Sequence, residues 1–179
     1  LNAILPREIT IHEVSQSESD FHARFDARSR EYHYFIHFRK DPFCEKYSYR
    51  MRHPLDIGKM NEAAAYLLGE HDFRCFEKTG GNNLTSVCTV TEAVWSTYRP
   101  THIEMMGMDC GEGDYIVFRI KANRFLRNMV RAIVGSLIEV GRGKRSPEWI
   151  AELVAEGTRS DAGSSVPGNA LFFSGAAYK

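Results

Sequence analysis

YIVFRIKANRFLRNMVRAIVGSLIEV, residues Tyr115 to Val140, changes period half-way along, and that change sets the architecture. Ile116, Phe118 and Ile120 alternate with Tyr115, Val117, Arg119 and Lys121, so the stretch opens as a strand with one apolar face. From Ala122-Asn123 the repeat is helical. Phe125, Met129, Ile133 and Leu137 form one i,i+4 line, and Leu126, Val130, Val134 and Ile138 a second beside it. Two neighbouring lines make a broad stripe, as expected of a helix laid on a sheet. Arg124, Arg127, Asn128 and Arg131 occupy the remaining face of the first turns, and Arg127 and Arg131, four apart, share a direction. One turn past Arg131 stands Gly135, which admits a second backbone. The stretch reads as a strand delivering the N-terminus of a basic helix, Asn123 to Val140, to one end of a sheet, where anions are favoured.

The rest of the composition frames that element. A chain of 179 residues with 43% hydrophobic content buries one full core or two small ones. No apolar run approaches the ~18–20 residues of a membrane span, and no stretch reads as a signal peptide. The chain opens on Leu1, so it is expected to be a piece of something longer. Cys44, Cys75, Cys88 and Cys110 show no CxxC spacing, which predicts reduced thiols in a cytoplasmic protein. Net charge is zero, yet residues 119–145 hold eight basic residues and one acid, leaving fifteen basic and twenty-two acidic elsewhere. A basic face on an acidic body is the footprint of a polyanion-binding surface. A solvated helix face is the other reading of the same charges.

Taken in order, residues 1–20 are a lead-in containing a short strand at Glu8–Val14. The run FHARFDARSREYHYFIHF, residues 21–38, begins as an ordered loop with Arg24, Arg28 and Arg30. It ends as a strand with Tyr32, Tyr34, Ile36 and Phe38 opposite His33, Phe35 and His37. Residues 43–55 form a connection. Asp56 caps a helix with Met60, Ala64, Leu67 and Leu68 inward, closed by Gly69. Residues 70–86 end in a Gly-Gly-Asn-Asn loop. Val87–Tyr98 and His102–Met108 read as strands, and Cys110–Asp114 as the turn into the central strand. Ser146-Pro147 opens another helix that Gly157 ends, and Ala170–Tyr178 is a last strand. The order predicts one α+β domain, with a mainly antiparallel sheet and helices on one face. A ferredoxin-like βαββαβ plait is the expected topology.

No metal constellation stands out, because the seven histidines are scattered and none pairs with a nearby Cys. There is no Walker loop and no GxGxxG. His33 and His37 read as packed strand residues. The longer motifs are more specific. FHARFDARSREYHY, LLGEHDFRCF, IKANRFLRNMVRAIVGSLIEVG and the closing ALFFSGAAY, in this order and spacing, resemble the tRNA pseudouridine synthase A family across essentially the whole chain.

The resemblance implies an isomerase that converts uridine to pseudouridine in the anticodon stem-loop of tRNA. It would work as a homodimer, without metal or cofactor. It also implies a gap: the family's catalytic Asp lies in an R-T-D-A-G-V-H motif upstream of the segment that matches Leu1–Pro6. Residues 1–179 are therefore expected to be the C-terminal domain alone, with 1–20 as inter-domain lead-in, and to be inactive by themselves. Arg159-Ser160-Asp161-Ala162-Gly163 imitates that motif but sits where the family has a variable connection, so Asp161 is not expected to be the nucleophile.

Position by position, Tyr32 matches the active-site tyrosine, suited to stack on a flipped base and to move a proton at C5. Arg131 matches the arginine that holds the catalytic carboxylate. Leu171 matches the apolar residue that closes over the base. Arg24, Asn123, Arg124 and Arg127 are the expected substrate contacts, with Arg28 and Lys121 as further phosphate contacts. Leu84–Val87 departs from relatives that carry an arginine there. The rival reading is a non-catalytic RNA-binding plait.

Overall fold

In the computed structural model, which describes residues 1–78, 80 and 84–178, six strands form a single sheet. The elements are β1 (Ser29–His37), β2 (Tyr49–Arg50), α1 (Ile57–Ala65), β3 (Gly69–Asp72), β4 (Val87–Thr97), α2 (Thr101–Met105), β5 (Tyr115–Ala122), α3 (Met129–Gly141), α4 (Trp149–Glu156) and β6 (Leu171–Ala177). β1 lies between β5 and β6, antiparallel to both, and β4 continues the sheet beyond β5. The path β1-α1-β4-β5-α3-β6 is thus a βαββαβ plait, as the sequence predicts. β3 extends it past β4, and the two-residue β2 pairs parallel with the end of β1.

Alternation decides which face is buried. Tyr34, Ile36, Ile116, Phe118, Ile120 and Trp95 point to the face covered by α1, α3 and α4, and are essentially inaccessible. β3 pairs only with residues 87–90 of β4, which leaves the outer edge open at Trp95. There Asn61 of α1 accepts from the Trp95 amide at 2.7 Å and donates to its carbonyl at 3.1 Å, closing the edge with a side chain. The Asp56 cap is as expected, its carboxylate accepting from the Lys59 amide at 3.0 Å.

Several local expectations are corrected. Glu8–Val14 is not a strand: Ile9 stays exposed, and Ile11 is bracketed only by the Asn2 side chain. His102–Met108 is not a strand either. Pro100, extended at φ −62, starts α2 by accepting from the amides of Ile103 and Glu104. Only Ile103 of that helix is buried, so the apparent alternation of Ile103 with Met105 reflected no sheet face. Leu68 is exposed, because α1 ends at Ala65 and the turn carries only Leu67 inward. The helix after Pro147 begins at Trp149 rather than at the proline.

The largest correction concerns the opening stretch. α3 starts at Met129, not Asn123, because Asn128 holds a left-handed φ of +67 that a right-handed helix cannot contain. Arg124 and Arg127 therefore sit on an irregular bend, and Arg127 does not share a helix face with Arg131. Of the Gly-Gly-Asn-Asn loop expected at 80–83, only Gly80 falls among the described residues. All four cysteines are free thiols. Among the described residues, no helix is long and apolar enough to cross a membrane.

His37, at the end of β1, is fully buried, and burial pulls its pKa below the ordinary histidine value. The folded state thus binds fewer protons at this group than the unfolded chain, whose histidine titrates near ~6.5. Stability from this group is complete above that value and is lost as pH falls below it. Thermal melts between pH 7.5 and 5 are expected to show a falling Tm that His37→Asn flattens. An unchanged slope in the variant would place the dependence elsewhere.

Candidate functional site: a basic groove beside a strapped helix

The end of the sheet where β1 begins and β5 finishes carries most of the predicted residues. Arg30 of β1 donates from Nη1 to the carbonyls of Ala27 at 2.7 Å and Asn123 at 2.6 Å, and from Nη2 to that of Arg24. One guanidinium thus ties the 24–27 loop to the bend after β5, so Arg30 is committed to carbonyls rather than available to phosphate. The two segments enclose a groove of about 470 Å³ lined by Arg24, Phe25, Arg30, Leu84, Asn123, Arg124 and Phe125. Phe25 is 74% exposed, with the Arg24 guanidinium 5.7 Å from its ring centroid. Exposed rings beside guanidinium groups suit an unpaired nucleic-acid strand, whose bases stack and whose phosphates pair with the charges.

Tyr32 borders this groove through Phe125, the two rings meeting edge-on at 5.1 Å, and packs against Phe173 at 5.4 Å on its other side. No described residue shares a hydrogen bond with its hydroxyl. Asn123 lines the groove, but its side chain is engaged: Oδ1 accepts from the Thr89 amide at 2.9 Å. It gives the groove shape more than contact. Arg127 is exposed outside the groove, its carbonyl accepting from the Lys78 amide at 3.0 Å. Arg28 is exposed, while Lys121 is half-buried within β5. Part of the basic stretch is neutralised locally: Arg119 pairs with Glu92, and Arg142 and Lys144 with Glu139.

Arg131 and Leu171 belong to a second arrangement, a strap running from Ala162 to Ala170 across α3. Gly135 makes the crossing possible, since a Cβ there would stand 1.9 Å from the Ser164 carbonyl oxygen. Gly163 answers it, for a Cβ on Gly163 would lie 2.8 Å from the Gly135 carbonyl carbon. Ser136 Oγ accepts from the Gly163 amide at 2.9 Å, and Arg159 donates to the Gly163 carbonyl and to Ser165. Further along, Arg131 Nε donates to the Val166 carbonyl at 2.6 Å, and the Val166 amide donates back to the Arg131 carbonyl at 3.2 Å. Tyr34, buried in β1, donates its hydroxyl to the Pro167 carbonyl at 2.8 Å. Gly168 lies against the guanidinium, a Cβ there falling 3.7 Å from Cζ and Nη1 of Arg131. The guanidinium is thereby fixed through Nε, and no described residue accepts from its Nη groups. The strap then turns through residues 168–170 into Leu171, which is half-buried and pairs with Tyr34, as Phe173 does with Tyr32.

Asp161 behaves as a turn residue. It is exposed, accepts from the Thr158 amide at 2.9 Å and hydroxyl at 2.6 Å, and these bonds hold its pKa below the usual carboxylate range. The glycine of its Arg-Ser-Asp-Ala-Gly motif is required by the close approach to α3. For the activity proposed below, Asp161→Asn is expected to leave turnover within about twofold of wild type, since an asparagine oxygen still accepts the turn bonds. A loss of turnover beyond about a hundredfold in a folded variant would make Asp161 a nucleophile.

Sequence reasoning missed the roles of Phe25, Arg30, Phe125 and Tyr34. Phe25 and Arg30 lay in an arginine- and aromatic-rich stretch of no regular period, while Tyr34 and Phe125 read only as members of a strand face and an apolar line.

Comparison with known proteins fits this geometry. The family described as tRNA pseudouridine synthase matches residues 63–179. The chain is 44% identical over 173 residues to the tRNA pseudouridine synthase A of Bacteroides fragilis, an alignment covering 96% of this chain and 63% of the relative. It is 45% identical over 172 residues to that of Bacteroides thetaiotaomicron, covering 96% and 60%. It is 43% identical over 178 residues to that of Porphyromonas gingivalis, covering 99% and 66%. The chain thus spans between 60% and 66% of the length of these curated relatives. On the family match over residues 63–179, the chain belongs to the tRNA pseudouridine synthase family.

Proposed function

We propose that this chain is the tRNA-gripping and catalytic-support portion of a pseudouridine synthase acting on the anticodon stem-loop of tRNA. The observation that carries the reading is the groove at the start of β1, where Arg24 and Arg124 flank exposed Phe25 and half-buried Phe125, and the latter touches Tyr32. The reaction is an isomerisation. The bond from the ribose to N1 of uracil breaks, the base turns, a bond to C5 forms, and the proton on C5 leaves while N1 gains one. In this reading Tyr32 stacks on the extruded base and moves the C5 proton. Arg131 turns its Nη groups to a carboxylate supplied from outside residues 1–179, keeping it ionised and aimed. Leu171 closes over the base, and Arg24, Arg124 and Arg127 meet phosphates. Residues 1–20 serve as a lead-in from another domain. A cytoplasmic homodimer that needs no cofactor completes the reading, on the family resemblance.

The experiment is tRNA binding by the full-length protein over a salt series. Arg124→Ala is expected to weaken binding about threefold to tenfold and to lower the slope of log K against log salt by about one. An unchanged slope and affinity would remove the groove from the tRNA interface.

A further inference from the structure

A second buried cluster lies across the sheet from the main core, and the reaction proposed above makes no use of it. Cys44, Ile103 and Tyr115 form its apolar part. Its polar part is unusual: among the described residues, His37, Asp41, Ser48 and Ser136 are the buried polar side chains, and the first three gather in this corner. Asp41 is 5% exposed. Its Oδ2 accepts from the Tyr115 hydroxyl at 2.6 Å and lies 2.8 Å from His102 Nε2, while Oδ1 accepts from the Phe43 amide at 3.0 Å. Cys44, on the same turn, sets its thiol against the same carboxylate. Burying a carboxylate costs free energy, and an apolar contact would seat α2 as well. The corner instead assembles an oxygen, a nitrogen and a sulfur donor.

Those three atoms all lie within 4.8 Å of one another. Zinc bonds of about 2.0–2.3 Å in a tetrahedral site require donors about 3.3–3.6 Å apart. The cluster reaches that spacing through adjustments of about an ångström in a turn and a five-residue helix, without moving the sheet. The surroundings are those of a metal site. Tyr115 and the Phe43 amide orient the carboxylate, and the Phe43 ring lies 5.1 Å from that of His102.

We propose that Asp41, Cys44 and His102 form a zinc site that clips the 41–48 turn to α2. Binding removes the thiol proton to solvent. The histidine proton moves to Nδ1, so that Nε2 ligates as a neutral imidazole. One proton is thus released per zinc, and affinity rises with pH. The fourth position lies on the partly exposed His102 side and takes water. The inference is independent of the isomerase reading.

The test uses full-length protein, untagged and stripped with chelator, titrated with zinc chloride against a chromophoric competitor. One zinc per chain with a Kd below ~1 µM is expected. Cys44→Ser and His102→Gln should each weaken it at least ~100-fold. Cobalt should give tetrahedral visible bands with a thiolate charge-transfer band that Cys44→Ser removes. Zinc should raise the Tm of wild type but not of His102→Gln, whose amide keeps a hydrogen bond to Asp41 and so preserves the fold. No binding at micromolar zinc overturns the proposal. So does binding unchanged in both variants, or cobalt spectra lacking the thiolate band.

Discussion

Arg131→Ala in the full-length protein is expected to lower kcat for pseudouridine formation by about 100- to 1000-fold, the usual effect of removing one preorganised electrostatic partner. Affinity for tRNA should change less than about threefold, because the proposed role spends the side chain on the strap and on a carboxylate rather than on phosphate. The geometry underlying this is the Nε bond to Val166 at 2.6 Å, which fixes the guanidinium plane and leaves the Nη pair for a bidentate acceptor. Arg131→Lys should rescue poorly, since an ammonium cannot hold the Val166 carbonyl and both carboxylate oxygens in one plane. Single-turnover kinetics with a binding isotherm separates the two effects. Equal losses in affinity and turnover would make Arg131 another phosphate contact.

Gly135→Ala is expected to be the most damaging small change to stability. Its Cβ would stand 1.9 Å from the Ser164 carbonyl oxygen and 3.0 Å from its carbonyl carbon, both backbone atoms that no rotamer change can move. The strap must lift from α3, which breaks the Ser136 bond to the Gly163 amide. Overpacking of this kind costs about 1–3 kcal/mol or more. At roughly 2–4 °C per kcal/mol for a domain of this size, the melting temperature should fall by several degrees. The strap also carries the partners of Arg131 and leads into Leu171, so the same variant should lose turnover even below its melting temperature. A variant with wild-type Tm and kcat would refute the strap. Ala substituted at Gly143, whose neighbourhood is open but whose φ is +71, is a useful contrast. It should cost only local backbone strain, about 1 kcal/mol, and leave Arg131 in place.

How much of this was legible in the sequence depended on what each residue faces. The strand at 115–122 was readable because one face is buried and the other not, and the alternation records that directly. The two apolar lines after it were equally clear, yet they put the helix start six residues early, at Asn123 instead of Met129. Phe125 and Leu126 pack on the core from an irregular bend, and apolar spacing alone cannot tell a buried bend from a first helical turn. The left-handed residue that separates the two, Asn128, carries only a weak signal. Ile103 and Met105 gave the opposite error, an alternation with no sheet behind it. At the site, Tyr32, Arg131 and Leu171 were nameable through family resemblance, and Gly135 through its size. The strap was not. Its bonds run from Arg131 and Tyr34 to the carbonyls of Val166 and Pro167, and a backbone carbonyl leaves no trace in residue identity. The Asp41, Cys44 and His102 cluster escaped for a different reason, since its members lie 61 positions apart at the extremes. Only the pairing of β5 with β1 on one side and β4 on the other brings their segments together.

The central proposal is that residues 1–179 hold one half of an active site whose nucleophile comes from outside them. Tritium release from C5-labelled uridine in tRNA tests it most directly, comparing the full-length protein with residues 1–179 shown to be folded by circular dichroism. The account predicts release at the full-length rate only from the former, with residues 1–179 binding tRNA but releasing none above background. Release by residues 1–179 at the full-length rate would contradict it, as would a full-length protein that binds tRNA and never releases tritium.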